Sequence, residues 1–226
     1  MATRTLLALA LAVFSAACPA ALAEPTYVVP EIMGDRLDME ALLPLLEEGE
    51  LCLVASHEDG RLKQVTAMAL VNAPRQKVWD LLCDFSAYED YMPTVAKSEL
   101  KQQEDNGDAV VYFSLEVPGP NIDFTVHNRF SEPEKIDIWL ENDHGPLKTG
   151  GWRWELLSPD PGRTILLYDF YTDVTDTNWI VRWLIKNHPI IAHGVNVGSA
   201  LVGVQSVKRR AEEPPAPQGE DGRTAR

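Results

Sequence analysis

The sequence predicts an α+β domain in which a curved antiparallel sheet surrounds a long C-terminal helical segment. Residues 178–210 form a long, largely apolar segment with no charged side chain between Lys186 and Lys208. Residues 95–175 alternate apolar and polar side chains with the period of two that is typical of strands. Two short helical patterns stand between an early hairpin and this alternating region. Helices and strands are therefore segregated along the chain, as in α+β folds.

The N-terminal 23 residues have the pattern of a secretory signal peptide. Arg4 precedes a short apolar run, and small residues stand at Ala21 and Ala23, just before the expected cleavage site. The apolar run is too short for a stable membrane-spanning helix. The alternative, lipoprotein processing at Cys18, lacks the Leu-like residue that normally stands three positions earlier. We therefore expect a periplasmic or secreted protein.

The remaining chain divides into three parts. They are an N-terminal arm with a short helix (24–50), one folded domain (51–210) and a proline-rich, charged tail that we expect to be disordered (211–226). In the arm, Asp38 is a plausible N-cap of the helix and Gly49 its stop. Pro44 lies between them, and we expect it to interrupt the helix.

Composition and motifs exclude several function classes. The net charge of −14 would repel a phosphate backbone, and no stripe of Lys and Arg offsets it, so nucleic-acid binding is excluded. The sequence has no G-x-S-x-G or H-E-x-x-H motif and no glycine-rich phosphate loop. His188 and His193 are five residues apart, whereas two ligands on one helical face need a spacing of four. No catalytic residue, metal ligand or cofactor is predicted.

Two cysteines, Cys52 and Cys83, remain after removal of the signal peptide. An exported protein tolerates disulfides, so the two residues form either a bridge or two buried thiols. The sequence leaves both interpretations open.

The folded domain begins with a hairpin of two strands, 51–57 and 62–71. Asp59-Gly60 between apolar runs is a strong hairpin signal. Both faces of the second strand are apolar, so we expect both to be covered.

Two short helices follow the hairpin. Pro74 opens the first in its first turn, and apolar residues at helical spacing continue to Phe85. Ser86 and Glu89 form a capping-box pattern for the second helix, which Pro93 ends.

Five or six antiparallel strands are predicted between residues 95 and 175. Alternation gives them one apolar face and one solvated face, and Arg129, Arg153 and Glu155 belong to the solvated face. The predicted inward face comprises Val111, Phe113, Leu115, Val117, Ile122, Phe124, Val126, Asn128, Phe130, Ile136, Ile138, Leu140, Trp152, Trp154 and Leu156.

Asp176 or Thr177 is expected to cap the last helical segment, which Pro189 breaks or kinks. At about 100° per residue, one side is apolar and includes two glycines, and the other is polar but uncharged. The apolar side, expected to face the sheet, comprises Ile190, Ile191, Gly194, Val197, Gly198, Leu201, Val202 and Val204; the polar side comprises His193, Asn196, Ser199, Gly203 and Ser206.

Glycine in a helix costs about 1 kcal/mol relative to alanine. Gly194 and Gly198 are therefore interpreted either as a groove for a ligand or as sites of close packing on the sheet. The segment 178–210 is too short and too often interrupted by polar residues to span a bilayer.

Several short motifs occur in a recognisable order along the chain: Ala73-Pro74, Val78-Trp79, Asp84-Phe85-x-x-Tyr88, Pro93, Gly150-Gly151-Trp152-Arg153-Trp154 and Gly162-Arg163-Thr164. Over about residues 62–210, the chain resembles the START-like superfamily, also called SRPBCC, and within it the polyketide cyclase/dehydrase and coenzyme-Q-binding branch. The resemblance implies a helix-grip fold with two short helices after an early strand. It also implies a cavity between the sheet and the last helix, which relatives use for lipids, sterols, quinones or polyketides.

We therefore expect a protein that binds, and transports or presents, a hydrophobic small molecule such as a lipid, sterol or isoprenoid quinone. The alternatives are an aromatase/cyclase-type enzyme with ionisable residues turned into the same cavity, and a module that docks a partner through its uncharged last helix. Transient membrane contact through Trp179 and Trp183 is compatible with these expectations. Asn128 either binds the ligand or satisfies nearby backbone. The candidate ligand-binding residues are Phe113, Leu115, Phe124, Asn128, Trp152, Trp154, Tyr168, Gly194, Gly198 and Leu201.

Overall fold

The computed structural model describes residues 37–117, 119–141, 147, 149–173, 179–188 and 190–214. The predicted signal peptide and most of the predicted tail lie outside these residues. The helices are Met39–Glu48 (α1), Arg75–Cys83 (α2), Tyr88–Tyr91 (α3), Trp179–Asn187 (α4) and Ile190–Glu212 (α5), with a 3-10 turn at Phe85–Ala87. The strands are Leu51–Ser56 (β1), Leu62–Val71 (β2), Val95–Gln103 (β3), Ala109–Leu115 (β4), Ile122–Ser131 (β5), Lys135–Leu140 (β6), Gly150–Asp160 (β7) and Arg163–Thr172 (β8).

The eight strands form one antiparallel sheet in the order β1-β2-β8-β7-β6-β5-β4-β3. The six strands from β3 to β8 form the predicted meander. The first hairpin joins the sheet because β2 pairs with the last strand, β8. Helix α5 lies against the concave face and contacts β2 and β8. This is the helix-grip architecture, so the α+β prediction is confirmed.

Strand β2 is covered on both faces, as its sequence predicts. Val65, Ala67, Ala69 and Val71 belong to the main core under α5. The opposite face forms a second core with α1 and β8, which contains Leu46, Met68, Leu70, Ile165 and Leu167.

Helix α1 is capped as predicted, since the Asp38 carboxylate accepts a hydrogen bond from the Ala41 backbone N–H at 3.1 Å. The expectation that Pro44 interrupts it is wrong, because α1 is continuous from Met39 to Glu48. Proline removes one backbone donor from the helix. The burial of Leu46 against the sheet offsets that loss.

The corner between α2 and α3 differs from the predicted capping box. The Ser86 hydroxyl donates to the Asp84 carboxylate at 2.6 Å instead of capping a backbone group of α3. Glu89 accepts a hydrogen bond from the Ser98 backbone N–H at 2.8 Å. Glu89 therefore connects α3 to β3. The backbone N–H of Ser98, distant in sequence, takes the place of the local backbone N–H that a capping box requires.

The expected solvated face of the meander is buried across β2, β8 and β7. Cross-strand pairing aligns Thr66, Asp169, Arg153, Asp137 and Arg129 in one row across the sheet, with charges that alternate in sign from Asp169 onward. Alternation assigned Arg153 to the correct face. Its exposure was predicted wrongly, because opposite charges on neighbouring strands compensate one another and allow burial.

Asp169 is the most deeply buried member of this row, with no exposed surface. Thr66 and Gln64 donate hydrogen bonds to its Oδ1 at 2.5 and 2.8 Å. Arg153 Nε donates to Asp137 at 2.5 Å. Burial nevertheless raises the pKa of Asp169 to about 6.

The two cysteines are both free and partly buried, Cys52 on β1 and Cys83 on α2. Burial raises the pKa of Cys83 to about 12. The Cys83 thiol is therefore protonated at neutral pH and a poor nucleophile. This is consistent with the interpretation of the cysteines as two packed thiols.

The folded domain extends slightly beyond its predicted end at residue 210. Helix α5 continues to Glu212, and Ala211 is part of the main core. The Glu212 carboxylate accepts hydrogen bonds from the Asn72 backbone N–H at 2.7 Å and from the Asn72 amide at 3.0 Å. These contacts hold the end of α5 to the end of β2.

Candidate ligand-binding cavity

A cavity of about 490 Å³ lies between the concave face of the sheet and α5. Its wall is predominantly apolar, with contributions from the α2–α3 corner, six strands and α5. The lining residues are Phe85, Tyr88, Met92, Pro93, Thr94, Val95, Phe113, Leu115, Val117, Ile122, Phe124, Val126, Asn128, Ile138, Leu147, Trp152, Trp154, Tyr168, Phe170, Thr172, Gly194, Val195, Gly198, Ser199, Val202 and Gly203. The volume falls in the range of small-molecule sites.

Eight aromatic rings follow one another along this wall. Neighbouring centroids are 5.5 to 6.0 Å apart from the α2–α3 corner to β8, and the last pair is stacked at 3.7 Å. In order, the rings are Phe85, Tyr88, Phe113, Phe124, Trp152, Phe170, Tyr168 and Trp154. We call this series the aromatic wall. Such rings favour offset or edge contacts with one another, and they offer the same contacts to a planar ligand.

A few polar groups interrupt the wall. Asn128 is buried, and its amide donates to the Ala109 carbonyl at 3.3 Å. The Trp152 indole nitrogen and the Thr172 hydroxyl are buried without a hydrogen-bond partner. The Tyr88 hydroxyl donates to the Leu82 carbonyl at 2.7 Å. Asn128 thus satisfies nearby backbone, which was one of its two predicted roles.

No Asp, Glu, Lys, Arg, His or Cys side chain occurs among the described residues that line the cavity. The ionisable groups on that lining are the phenols of Tyr88 and Tyr168. Burial raises the pKa of both above the usual value for tyrosine. Both phenols are therefore neutral at physiological pH. The described residues also contain no group of three or more His, Cys, Asp or Glu that could hold a metal ion.

Helix α5 presents only part of its predicted apolar side to the core, where Val204 is buried and Val197 and Leu201 pack. Asn196, Gly203 and Ser206, assigned to the outer side, are buried, whereas Ile190 is 73% exposed. Asn196 accepts a hydrogen bond from the Thr172 backbone N–H at 2.8 Å and donates to the Thr172 carbonyl at 3.1 Å. Because this amide pairs with the end of β8, part of the polar side of α5 turns inward, whereas Ser199 on the same side stays exposed.

The glycines of α5 have two distinct roles. A Cβ atom added at Gly194 or Gly198 would meet nothing within 4 Å, so these positions leave open space, as the groove interpretation requires. At Gly203 an added Cβ would lie 3.1 Å from Tyr168 Cε1. Close packing therefore occurs at Gly203 instead of at the two predicted positions.

The cavity opens to solvent along the first half of α5. Gly194, Val195, Gly198, Ser199 and Val202 are exposed and also line the cavity. We call this opening the mouth.

By length and apolar composition alone, α5 is sufficient to cross a membrane, contrary to the expectation for this segment. The reason is that α5 alone, from Ile190 to Glu212, runs for 23 residues. In this fold, its buried residues pack on the sheet and in the main core.

Nine of the ten candidate ligand-binding residues lie at the cavity. The exception is Leu201, which packs against the main core beside Val197. It lies about 100° around α5 from Val202, and that rotation turns it away from the mouth.

Sequence reasoning also missed lining residues. Phe170 and Thr172 follow Tyr168 at the strand period of two, so alternation contained the signal for them. Leu147 comes from a connecting segment, whose sequence gives no comparable signal.

A family model described as "Polyketide cyclase / dehydrase and lipid transport" matches residues 71–188, just over half of the chain. The chain belongs to this family. The match begins at the end of β2 and ends before α5, so it is shorter at both ends than the resemblance inferred from motifs. No curated protein sequence matches the chain.

Several solved structures have the same architecture. A START superfamily protein from Mycobacterium smegmatis superposes with a TM-score of 0.54 at 18% identity, covering 66% of this chain and 97% of that protein. A STAR-related lipid transfer protein from Xanthomonas axonopodis superposes with a TM-score of 0.54 at 19% identity, covering 74% of this chain and 95% of that protein. An aromatase/cyclase from a Streptomyces species superposes with a TM-score of 0.51 at 19% identity, covering 66% of this chain and 93% of that protein. At these identities the similarity shows a shared helix-grip fold.

Proposed function

We propose that this protein binds a hydrophobic small molecule in the cavity and carries or presents it. The observation that carries the proposal is the cavity itself, which is lined by the aromatic wall and by no charged side chain among the described residues. Removing apolar ligand surface from water is favourable by about 25 cal/mol of free energy per Å² buried. A lipid, a sterol or an isoprenoid quinone presents the apolar surface that such a wall requires.

The wall also distinguishes this proposal from an aromatase/cyclase-type enzyme. Acid–base catalysis needs a group whose pKa lies near the working pH and within reach of the substrate. Burial raises the pKa of the Tyr88 and Tyr168 phenols, which moves both further from the working pH. A module that docks a partner with its cavity collapsed is disfavoured by the volume of about 490 Å³.

The proposal is tested directly by native mass spectrometry of the protein purified from its native source, followed by organic extraction. We expect a bound mass that is released into the organic phase. Uptake of fluorescent lipid and quinone analogues provides the second measurement. A protein that is free of ligand and takes up none of these analogues would refute the proposal.

Gly198 offers a matched pair of variants at the mouth. Because an added Cβ meets nothing there, Gly198→Ala should keep the cavity and raise the free energy of unfolding by about 0.5–1 kcal/mol. Gly198→Phe adds bulk at the same position and should lower ligand uptake. Equal uptake by the two variants would show that ligand does not enter past Gly198.

Export remains part of the proposal. It is supported by the N-terminal pattern of Arg4, the apolar run and Ala21 and Ala23. Cell fractionation with N-terminal sequencing of the mature chain should give a first residue of Glu24. A cytosolic chain that retains its N terminus would contradict it.

A further inference from the structure

The ring of Tyr168 is held rigidly in the aromatic wall. It stacks on Trp154, with centroids 3.7 Å apart and an angle of 9° between the ring planes. It also lies close enough to α5 that a Cβ added at Gly203 would stand 3.1 and 3.2 Å from two of its ring carbons. A side chain packed in this way presents its terminal group in a fixed position, which lowers the entropy cost of binding.

The Tyr168 hydroxyl makes no hydrogen bond with any other described residue, although its side chain lines the cavity. The other phenol of the wall, Tyr88, donates its proton to the Leu82 carbonyl. Burial keeps the pKa of Tyr168 well above its usual value, so the hydroxyl remains protonated and able to donate. Tyr168 is intermediate in exposure, and its hydroxyl is not among the buried polar atoms that lack a partner, so the hydroxyl remains accessible to an acceptor.

We infer that Tyr168 donates a hydrogen bond to an uncharged acceptor of the ligand, a carbonyl oxygen, while the ligand's planar apolar part lies along the aromatic wall. The inference rests on the proposed function and specifies the ligand as a neutral, carbonyl-bearing molecule. A charged head group at this depth would lose its hydration without meeting an opposite charge on the described lining. A carbonyl loses less hydration and gains the phenol as donor.

Two fluorescent probes with the same skeleton test the inference: 6-propionyl-2-(dimethylamino)naphthalene and its 6-propyl analogue, which lacks only the carbonyl. Their dissociation constants are measured with the wild type, Tyr168→Phe and Tyr88→Phe. Tyr168→Phe removes a hydroxyl that has no protein partner and should keep its thermal midpoint. Tyr88→Phe removes the bond to Leu82 and should lower the midpoint, so it controls for loss of a phenol from the wall.

We expect the wild type to bind the ketone more tightly than the alkyl probe, by about two- to tenfold for one net hydrogen bond. Tyr168→Phe should abolish this preference by weakening binding of the ketone, whereas Tyr88→Phe should retain the preference. Infrared spectra of the ¹³C=O-labelled ketone should show a lower carbonyl stretching frequency in the wild type than in Tyr168→Phe.

The outcomes separate this inference from the proposed function. If both probes bind but Tyr168→Phe keeps the full ketone preference and the same carbonyl frequency, the role of Tyr168 is refuted and hydrophobic binding stands. If the wild type binds both probes equally, the carbonyl specificity is refuted. If neither probe binds, the inference fails together with the proposed function.

Discussion

Replacing Asp169 with asparagine should stabilise the protein at neutral and alkaline pH. Asp169 has no exposed surface, and its pKa in the fold is about 6, compared with the ordinary 3.8. The substitution removes the charge but keeps the Oδ1 acceptor that Thr66 and Gln64 use.

The sign and magnitude follow from proton linkage. Because the folded-state pKa is raised, the folded protein binds this proton more tightly than the unfolded chain does. Its contribution to stability is fully present below pH 3.8 and is lost as the pH rises through about 6. The difference between these two values corresponds to about 3 kcal/mol. Asp169→Asn should therefore gain up to about 3 kcal/mol over the wild type at pH 8, and this gain should disappear near pH 4.

Urea unfolding of both proteins at several pH values between 4 and 8 measures the effect. Glu99→Gln provides a contrast of opposite sign, because Lys97 and Lys101 lower the pKa of this exposed carboxyl to about 2. Its contribution is present above pH 4.5 and is lost as the pH falls, so Glu99→Gln should reduce stability at neutral pH. The reasoning would be refuted if the free energy of unfolding varied with pH in parallel for the wild type and Asp169→Asn. It would also be refuted if Asp169→Asn were less stable than the wild type at pH 8.

Three further predictions concern α5 and the helix before it. Gly203→Ala should lower the thermal midpoint and weaken probe binding, because the added Cβ meets Tyr168 at 3.1 Å and the stacked ring has little room to move. Asn196→Leu should lower the free energy of unfolding in urea by about 2–4 kcal/mol, since it leaves the backbone N–H and C=O of Thr172 without partners. Trp183→Ala should leave stability unchanged, because this side chain is 59% exposed. If the helix contacts lipid transiently, the same change should lower co-sedimentation with vesicles, and unchanged co-sedimentation would refute that contact.

The strand part of the site could be predicted because alternation alone decides which face a side chain occupies. Phe113, Phe124, Trp152 and Trp154 were assigned to the inward face by their spacing, and all four line the cavity. Strand pairing then fixes their neighbours: Trp152 pairs with Phe170 and Phe113 pairs with Phe124, and the rings of each pair are in contact.

The orientation of α5 could not be predicted in the same way. A helical wheel ranks positions by hydropathy, and by that measure Asn196 belongs outside and Ile190 inside, whereas Ile190 is 73% exposed. The structure buries Asn196 because its amide finds both backbone groups of Thr172, a partner 24 residues away in the chain. Sequence periodicity contains no information about such a pairing. The exposure of Arg153 and Glu155 was misjudged for the same reason, whereas Arg129 is exposed as predicted.

The pairing of Asn196 with Thr172 has a mechanical consequence for ligand entry. The side chain bonds to both backbone groups of Thr172, as a neighbouring strand would, so it fastens α5 to the end of β8 at one point near the mouth. Gly194 and Val195 lie on the free side of this fastening, whereas Gly203 and Ala211 lie on the clamped side. A movement that widens the mouth at Gly194 and Val195 without breaking these bonds would pivot at Asn196 and leave Gly198, Ser199 and Val202 in place.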